Sequence, residues 1–535
     1  MKITDCVSTY VVLLALGTAL MLGAPAAGWD DRSEDPELAE TQTRVPTLPP
    51  PVAYKAKGNV VEIELSEYAG YSGIIVANGG LEPSEDSIFF KKYGFKVKLT
   101  LSEEESWPAL NSGAMAGSAT TVDVLAAYGR QFNVVVPAMI GFSRGADGVV
   151  VRKEVKQIND LRGKVLATSQ FTEADFFIRY LAQEAGLPIK LLSAFSDSPD
   201  PEKVNLIFCK DAFAAGDLFL RDVKEGRNRL AGCITWAPKT NEIAEASDGA
   251  MRVLITSANL LIIGDVFIVN GGFAKANPKI VKGIVHGILE GNSRVRTAPE
   301  KYHATIATAF GWELDDVATE LAKTHLANFP ENEAFFNETI DSAGSFGYIY
   351  ETAAFTYGSG LIKASDGDRF LSLAALTQIG NEGVYKDQKA SITPIHSEGV
   401  SGAEETALLS KSIIFEFDPN ESALDTKIPD NKKGLESIAK LLQVSPGSTI
   451  LLRGHAEGSR VEKARKQGGD AAARKLVLKL KALSKERCNT LKRLLREEHG
   501  VDDARMRVEG VGADEPTGKG RDRDRRVETL WFPVS

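Results

Sequence analysis

Residues 159–168 read NDLRGKVLAT: a polar turn, a glycine, and then a short apolar run. Gly163 supplies a tight turn, and 165–168 reads as a strand. Residues 175–185 follow with helical spacing and stop at Gly186, so the segment is one strand–helix unit. The same alternation spreads outward on both sides. Residues 60–65, 95–101, 134–140 and 149–151 read as strands, and 107–112 and 122–129 as helices. Strands alternating with helices predict an α/β architecture with largely parallel sheets. Beyond Asn277-Pro278 the pattern turns helical, at 280–289, 312–328 and 336–343, with Gly344 as the stop.

A smaller unit closes the chain. Residues 412–417, 449–452 and 506–511 read as strands. Leu435, Ile438, Ala439 and Leu442 mark one face of a helix, and 483–498 is a second helix. The sum is a compact α+β unit of βαβαβ order over 411–535. It carries 26 Lys and Arg against 20 Asp and Glu, in a chain whose formal net charge is −9. The tail is thus at +6 and the remainder at −15. A basic tail on an acidic body suggests an anionic partner for the tail, or two domains with unrelated surfaces. The overall charge argues against a nucleic-acid partner. At 535 residues, 43% hydrophobic and 25% charged, the chain has room for two to four globular domains.

Lys2 precedes an apolar run at 7–22, and Ala24-Pro25-Ala26 offers a small-x-small cleavage pattern. Residues 1–27 are expected to be a secretory signal peptide or an uncleaved N-terminal anchor. Either places the protein in the periplasm and cell envelope. RVPTLPPPV at 44–52 favours an extended polyproline form. Residues 28–57 are therefore expected to be a linker that holds the first domain away from the membrane. A second, polar linker is expected at 386–410. Cys209 and Cys233 are candidates to pair in an oxidising compartment. Cys488, in line with Leu491 and Leu495, reads as a small buried hydrophobe. No Cys or His spacing suggests a metal site, and no cofactor is expected.

Four stretches of the tail carry a sharper signal: ILLRGHAE at 450–457, ALSKERCNTLKRLL at 482–495, VEGVGADEP at 508–516 and GRDRDRRVE at 520–528. In this order they resemble the OmpA-like peptidoglycan-binding domain. The resemblance implies recognition of the peptidoglycan peptide stem through the zwitterionic end of diaminopimelate. That end needs one carboxylate and one guanidinium at matched spacing. The resemblance puts the guanidinium at Arg487 and the carboxylate at Glu457, with Arg526 supporting the fold or the site through ion pairs. Two departures stand out. Ala456-Glu457 replaces the family's Thr-Asp, and a basic insert at 458–481 separates Glu457 from Arg487.

YAGY at 68–71, LNSGAMAGSATTVD at 110–123, GFSRGADG at 141–148, NDLRGKVLAT at 159–168 and GCITWAP at 232–238 form a second series. Together they resemble the substrate-binding proteins of nitrate, sulfonate and taurine ABC importers, which share a fold with thiamine-pyrimidine synthases. The resemblance implies a type II periplasmic-binding-protein fold over 58–385. Two α/β lobes would enclose a cleft outside the carboxyl ends of the strands and close on a hinge. The chain would cross near 150 and return near 254. The contacts expected are Tyr68, Tyr71, Thr120, Thr121, Ser143, Arg144, Ser169 and Thr172, with Trp236 as an aromatic wall. Tyr68 and Trp236 equally suit ordinary packing, and Thr120 and Thr121 equally suit helix caps. Asp147 is expected to brace its own loop. Hydroxyls and helix N-termini suit a small polar or anionic solute.

The partners implied are that solute, diaminopimelate in peptidoglycan, and an ABC permease. The reading is a receptor without catalysis, because no nucleophile set or phosphate loop is visible. The alternatives are an enzyme akin to the synthases, or a structural envelope protein whose receptor module does not bind. The synthases' cysteine cluster has no counterpart here, and no histidine precedes His286.

Overall fold

The computed structural model describes residues 36–102, 106–337, 344–392, 407–418 and 420–533. The reading of residues 1–27 as a signal or anchor lies outside them. No helix among the described residues is long and apolar enough to cross a membrane.

Twelve strands among these residues form two sheets: β1 Val60–Leu65, β2 Lys96–Leu101, β3 Gly117–Thr121, β4 Val134–Ser143, β5 Asp147–Arg152, β6 Val165–Ser169, β7 Ile189–Leu191, β8 Val204–Cys209, β9 Gly232–Trp236, β10 Met251–Thr256, β11 Gly264–Asn270 and β12 Thr324–Leu326. The first sheet has the order β12-β4-β11-β3-β1-β2 and the second β10-β5-β9-β6-β8-β7. Pairing is parallel where strand–helix units repeat, as in β1 with β2 and β3, and β6 with β8 and β9. It is antiparallel where the chain changes sheets, at β4, β5, β10 and β11. The crossing segments are 144–146 and 257–263, on the cleft side of the expected 150 and 254. Ser143 and Arg144 sit at this crossing. The Ser143 hydroxyl meets that of Ser257 at 2.6 Å, and Arg144 Nε donates to Ala258 O at 2.6 Å. They stitch the two crossing segments together.

One helix differs from the expected pattern. Residues 312–328 hold a short helix, Asp316–Leu321, and then β12, which pairs with the edge of β4. Tertiary pairing overrides the local helical pattern there. A helix at Phe329–Phe336 precedes the one expected at 336–343, most of which lies outside the described residues. Asn328 and Glu331 open the former with a reciprocal capping box, and Pro330 sits in its first turn. Residues 338–343 lie outside the described segments. Helix Phe346–Leu361 packs on Val122–Tyr128 of the first lobe and on Glu173–Glu184 of the second.

Residues 36–57 are not a free spacer, as expected from their prolines; they form a strap across both lobes. Extended backbone leaves its N–H and C=O groups unpaired, and side chains of the lobes take them up. Gln42 N donates to Gln170 Oε1 at 2.8 Å, and Gln170 Nε2 donates back to Gln42 O. Leu48 N donates to Gln131 Oε1 at 2.9 Å, and Asn111 Nδ2 to Pro49 O at 2.7 Å. Glu37 is paired with Arg221, and Leu48 and Tyr54 are buried.

Cys209 and Cys233 are buried and are not joined in a disulfide. They lie on β8 and β9, with β6 between them and a two-residue offset along it, so their Cα atoms stand about 12 Å apart. A disulfide needs less than about 7 Å. Cys488 is buried with Leu491 and Leu495, as expected.

The final unit adds β13 Leu409–Ile413, β14 Thr449–His455, β15 Met506–Gly512 and β16 Val527–Phe532, in the order β13-β16-β14-β15. β13 starts three residues before the expected 412, which shortens the second linker. β16, unread in the sequence, seats Trp531 in the core with its Nε1 donating to Ser445 Oγ at 3.2 Å. Helices Pro429–Val444 and Ser459–His499 back the sheet. The basic insert forms the first half of the long helix, which breaks at Gly468 and Gly469. This unit docks on the second lobe. Ile158 N donates to Leu408 O at 2.8 Å, and Asn159 exchanges side-chain hydrogen bonds with the Ser410 backbone at 2.8 and 2.9 Å.

Candidate functional site

The two sheets face one another across a cavity at the carboxyl ends of their parallel strands. Tyr68 and Tyr71 come from the turn after β1, Thr120 and Thr121 from the end of β3, and Trp236 from the end of β9. Asp265 opens β11 directly opposite Thr121, and Asp147 opens β5 directly opposite Trp236. Glu173 comes from the first turn of helix Glu173–Glu184. With Ser66 and Ile263, these residues line some 370 Å³ of atom-free space. Only about 20 Å³ of it admits the centre of a water molecule, so the lobes stand nearly closed.

The walls are aromatic and acidic. The rings of Tyr68 and Tyr71 meet edge to face at 5.1 Å. Tyr68 Oη donates weakly to Asp265 Oδ2 at 3.5 Å. Thr120 Oγ1, Thr121 Oγ1 and Trp236 Nε1 are buried with no hydrogen-bond partner, and so are both carboxylate oxygens of Asp123. Burial pushes the Asp123 carboxyl up to about 7 and that of Asp147 up to about 6. Burial, reinforced by the charges of Asp147 and Asp123, pushes Asp265 well above the usual carboxylate range. The described residues lining this cavity include no Lys or Arg.

Five of the nine contacts expected from the sequence therefore meet here: Tyr68, Tyr71, Thr120, Thr121 and Trp236. Ser143 and Arg144 belong to the crossing instead. Ser169 and Thr172 bond to each other at 2.8 Å and shape their own loop. The helix N-terminus expected to cradle a ligand anion is taken by the protein's own acids. Asp175 accepts from Phe171 N at 3.1 Å and from Arg179 Nε at 2.6 Å, and Glu173 turns to the cavity. Asp147 lines the cavity rather than only bracing its loop. Asp265 and Glu173 are additions that sequence reasoning missed. A lone acid inside GDVFIVN at 264–270 is the signal that points to Asp265.

The C-terminal unit holds a second, smaller cavity of some 240 Å³, lined by Phe415, Phe417, Gly454, His455, Ser484, Arg487, Arg525, Arg526 and Val527. Arg487 lies over the Phe417 ring at 4.7 Å. Its Nε donates to Glu421 O at 3.0 Å and its Nη2 to Asp418 O at 3.2 Å. Both ring nitrogens of His455 are buried without a hydrogen-bond partner. Arg526 lines the cavity, and its Nη1 reaches the backbone Glu515 O at 3.5 Å rather than a carboxylate.

Glu457 does not line this cavity. Its Oε1 accepts from Ser459 N at 2.6 Å, at the start of the long helix, and stands 3.9 Å from Arg521. Partial burial works against its ionisation, but the bonds from Ser459 and the charges of Arg521 and Arg525 hold it below the usual carboxylate range. Arg525 acts electrostatically on both Glu457 and Arg487. Among the described residues, His455, Glu515 and Glu528 form one group with metal-ligand donors within 4.8 Å of one another. Arg453 already pairs with both of its carboxylates.

Two α/β sheets joined by paired crossings over a cavity define the two-lobed periplasmic-binding-protein fold, followed here by an OmpA-like domain. Residues 85–302 match the family described as NMT1/THI5 like, and residues 416–529 match the OmpA family. No curated protein gives a significant match. Solved structures resembling the chain include the periplasmic aliphatic sulphonate binding protein SsuA from Escherichia coli, at 16% identity and TM-score 0.41, over 56% of this chain and 92% of that one. The periplasmic nitrate-binding protein NrtA from Synechocystis PCC 6803 aligns at 14% identity and TM-score 0.39, over 62% and 90%. The desulfurization enzyme DSZB aligns at 12% identity and TM-score 0.40, over 61% and 99%.

Proposed function

We propose that the protein is a solute receptor of the cell envelope: its lobes close on a small polar solute, and its C-terminal domain holds it on peptidoglycan. The carrying observation is the cleft. Residues from both sheets converge on one cavity and leave Thr120, Thr121 and Trp236 with polar atoms unpartnered. Each such buried group costs about 1–3 kcal/mol. A bound solute supplies the missing partners, which favours the closed arrangement. The second half of the reading is supported by the Arg487 cavity and by the basic charge of the tail. An ABC-type permease is the natural acceptor of a solute held in this way. The function needs no activated nucleophile.

Mass spectrometry of small molecules released from purified, unfolded full-length protein tests the reading. One polar solute near equimolar amount is expected. Adding it back should raise the melting point, because it binds only the folded state. Trp236→Ala is expected to abolish that rise; an unchanged rise would put the solute elsewhere. Recovery of the solute in chemically altered form would favour the enzyme alternative.

A further inference from the structure

We propose that the solute is cationic: a small protonated amine or amidinium that also carries one hydrogen-bond acceptor. This rests on the reading of the cleft as a solute site and names the chemistry that the site takes. The two lobes each contribute a buried carboxylate, Asp147 from the second sheet and Asp265 from the first. Glu173 adds a third acid to the lining. The cations nearest in sequence are committed elsewhere, Arg144 to the Ala258 carbonyl and Arg179 to Asp175. Closure therefore brings the acids together across the cleft in a medium of low polarity, where they either repel one another as carboxylates or must take up protons. A cation between them turns that repulsion into attraction and makes closure depend on the ligand. An anion would add to the repulsion.

The unpartnered groups sharpen the chemistry. The hydroxyls of Thr120 and Thr121, beside Asp265, are acceptors for ammonium or amidinium hydrogens. Trp236 Nε1 is a donor only and also lacks a partner, so the solute must present an acceptor to it. The tyrosine and tryptophan rings offer the faces on which an organic cation rests. They are poor neighbours for a hard metal ion, which takes six or more oxygens. The narrow free space favours a ligand of few heavy atoms.

The test is thermal shift and calorimetric titration of the full chain at pH 8. The probes are ethanolamine, 3-aminopropanol and N-acetylputrescine, each a cation at pH 8 with one oxygen acceptor, set against nitrate, ethanesulfonate, calcium and magnesium. The charge of any solute released from unfolded protein is determined in parallel. We expect a cationic released solute or a cationic probe to bind. We expect Asp265→Asn and Asp147→Asn each to weaken it by about thirtyfold or more. Both variants remove repulsion and keep side-chain shape, so both are expected to fold. Binding of an anionic or neutral solute instead, or of a metal ion alone, would overturn the inference while leaving the receptor reading intact. Cation binding that both variants leave unchanged would also overturn it. If no probe binds and nothing is released, the receptor reading itself fails.

Discussion

Raising the pH of the ligand-free protein from 5 to 8 is expected to lower the melting temperature of its two-lobed module, and Asp265→Asn is expected to remove much of that fall. The folded-state values of Asp123 and Asp147 stand near 7 and 6, and that of Asp265 is raised well above normal. Unfolded aspartates titrate near 3.9. The folded chain therefore holds protons that the unfolded chain has already released. The stabilisation is complete below about pH 4 and disappears as pH rises through the folded values. For Asp123 alone, a shift of about three units corresponds to roughly 4 kcal/mol at high pH.

The three acids repel one another, so their contributions overlap and do not add. The groups acting on them are named ones: Tyr68 hydrogen-bonds Asp265, and Asp175, held by Arg179, adds negative charge near Asp123. A net fall on the order of 5 °C follows for a module of this size. Calorimetric melts of wild type and variant across the pH range measure it. Parallel slopes in the two proteins would mean that Asp265 contributes nothing in this window, and a flat wild-type slope would mean that none of the three does. A saturating cation should flatten the wild-type slope too, because ligand binding then keeps the carboxylates ionised and releases protons.

The strand–helix units were legible because each is written locally. NDLRGKVLAT folds as a turn at Gly163, with φ +76°, and a strand at Val165–Ser169. The cavity-lining residues Tyr68, Thr120 and Trp236 were legible through motif resemblance, since each lies at or just after the carboxyl end of a strand. The acids were not, for a physical reason. Asp265 reaches the cavity only because β11 lies antiparallel beside β3, with Asp265 opposite Thr121. That pairing joins residues far apart in the chain, and no local pattern records it. β16 escaped notice for a related reason: its alternating VETLWF follows the charged run at 521–526, and its two neighbours, β13 and β14, are distant in sequence. The proline strap shows the opposite failure. Its prolines are plain in the sequence, but its partners, Gln131 and Gln170, sit in other elements. The cysteine pairing failed because sequence spacing says nothing of the strand β6 that separates Cys209 from Cys233.

Arg487→Ala is expected to reduce co-sedimentation of the full-length protein with purified sacculi at least tenfold, whereas Glu457→Gln is expected to change it little. The asymmetry follows from how the two side chains are held. Arg487 is seated in the small cavity by two backbone carbonyls, Glu421 O and Asp418 O, and by the Phe417 ring. Glu457 is bound to Ser459 N at the start of the long helix and lies near Arg521, outside the cavity lining. A peptide-stem carboxylate entering the cavity meets Arg487 together with Arg525 and Arg526. Arg487→Lys is expected to fail almost as fully as alanine, because an ammonium cannot reproduce two directed bonds from one plane. Loss of Arg487 also removes its bonds to Asp418 O and Glu421 O, so a second variant separates binding from folding. Arg525→Ala leaves the bonds to Glu421 and Asp418 in place and removes only a charge at the cavity. It is expected to weaken sedimentation with no change in the melting point of the C-terminal domain. Wild-type sedimentation by both Arg487→Ala and Arg525→Ala would remove this cavity from peptidoglycan binding.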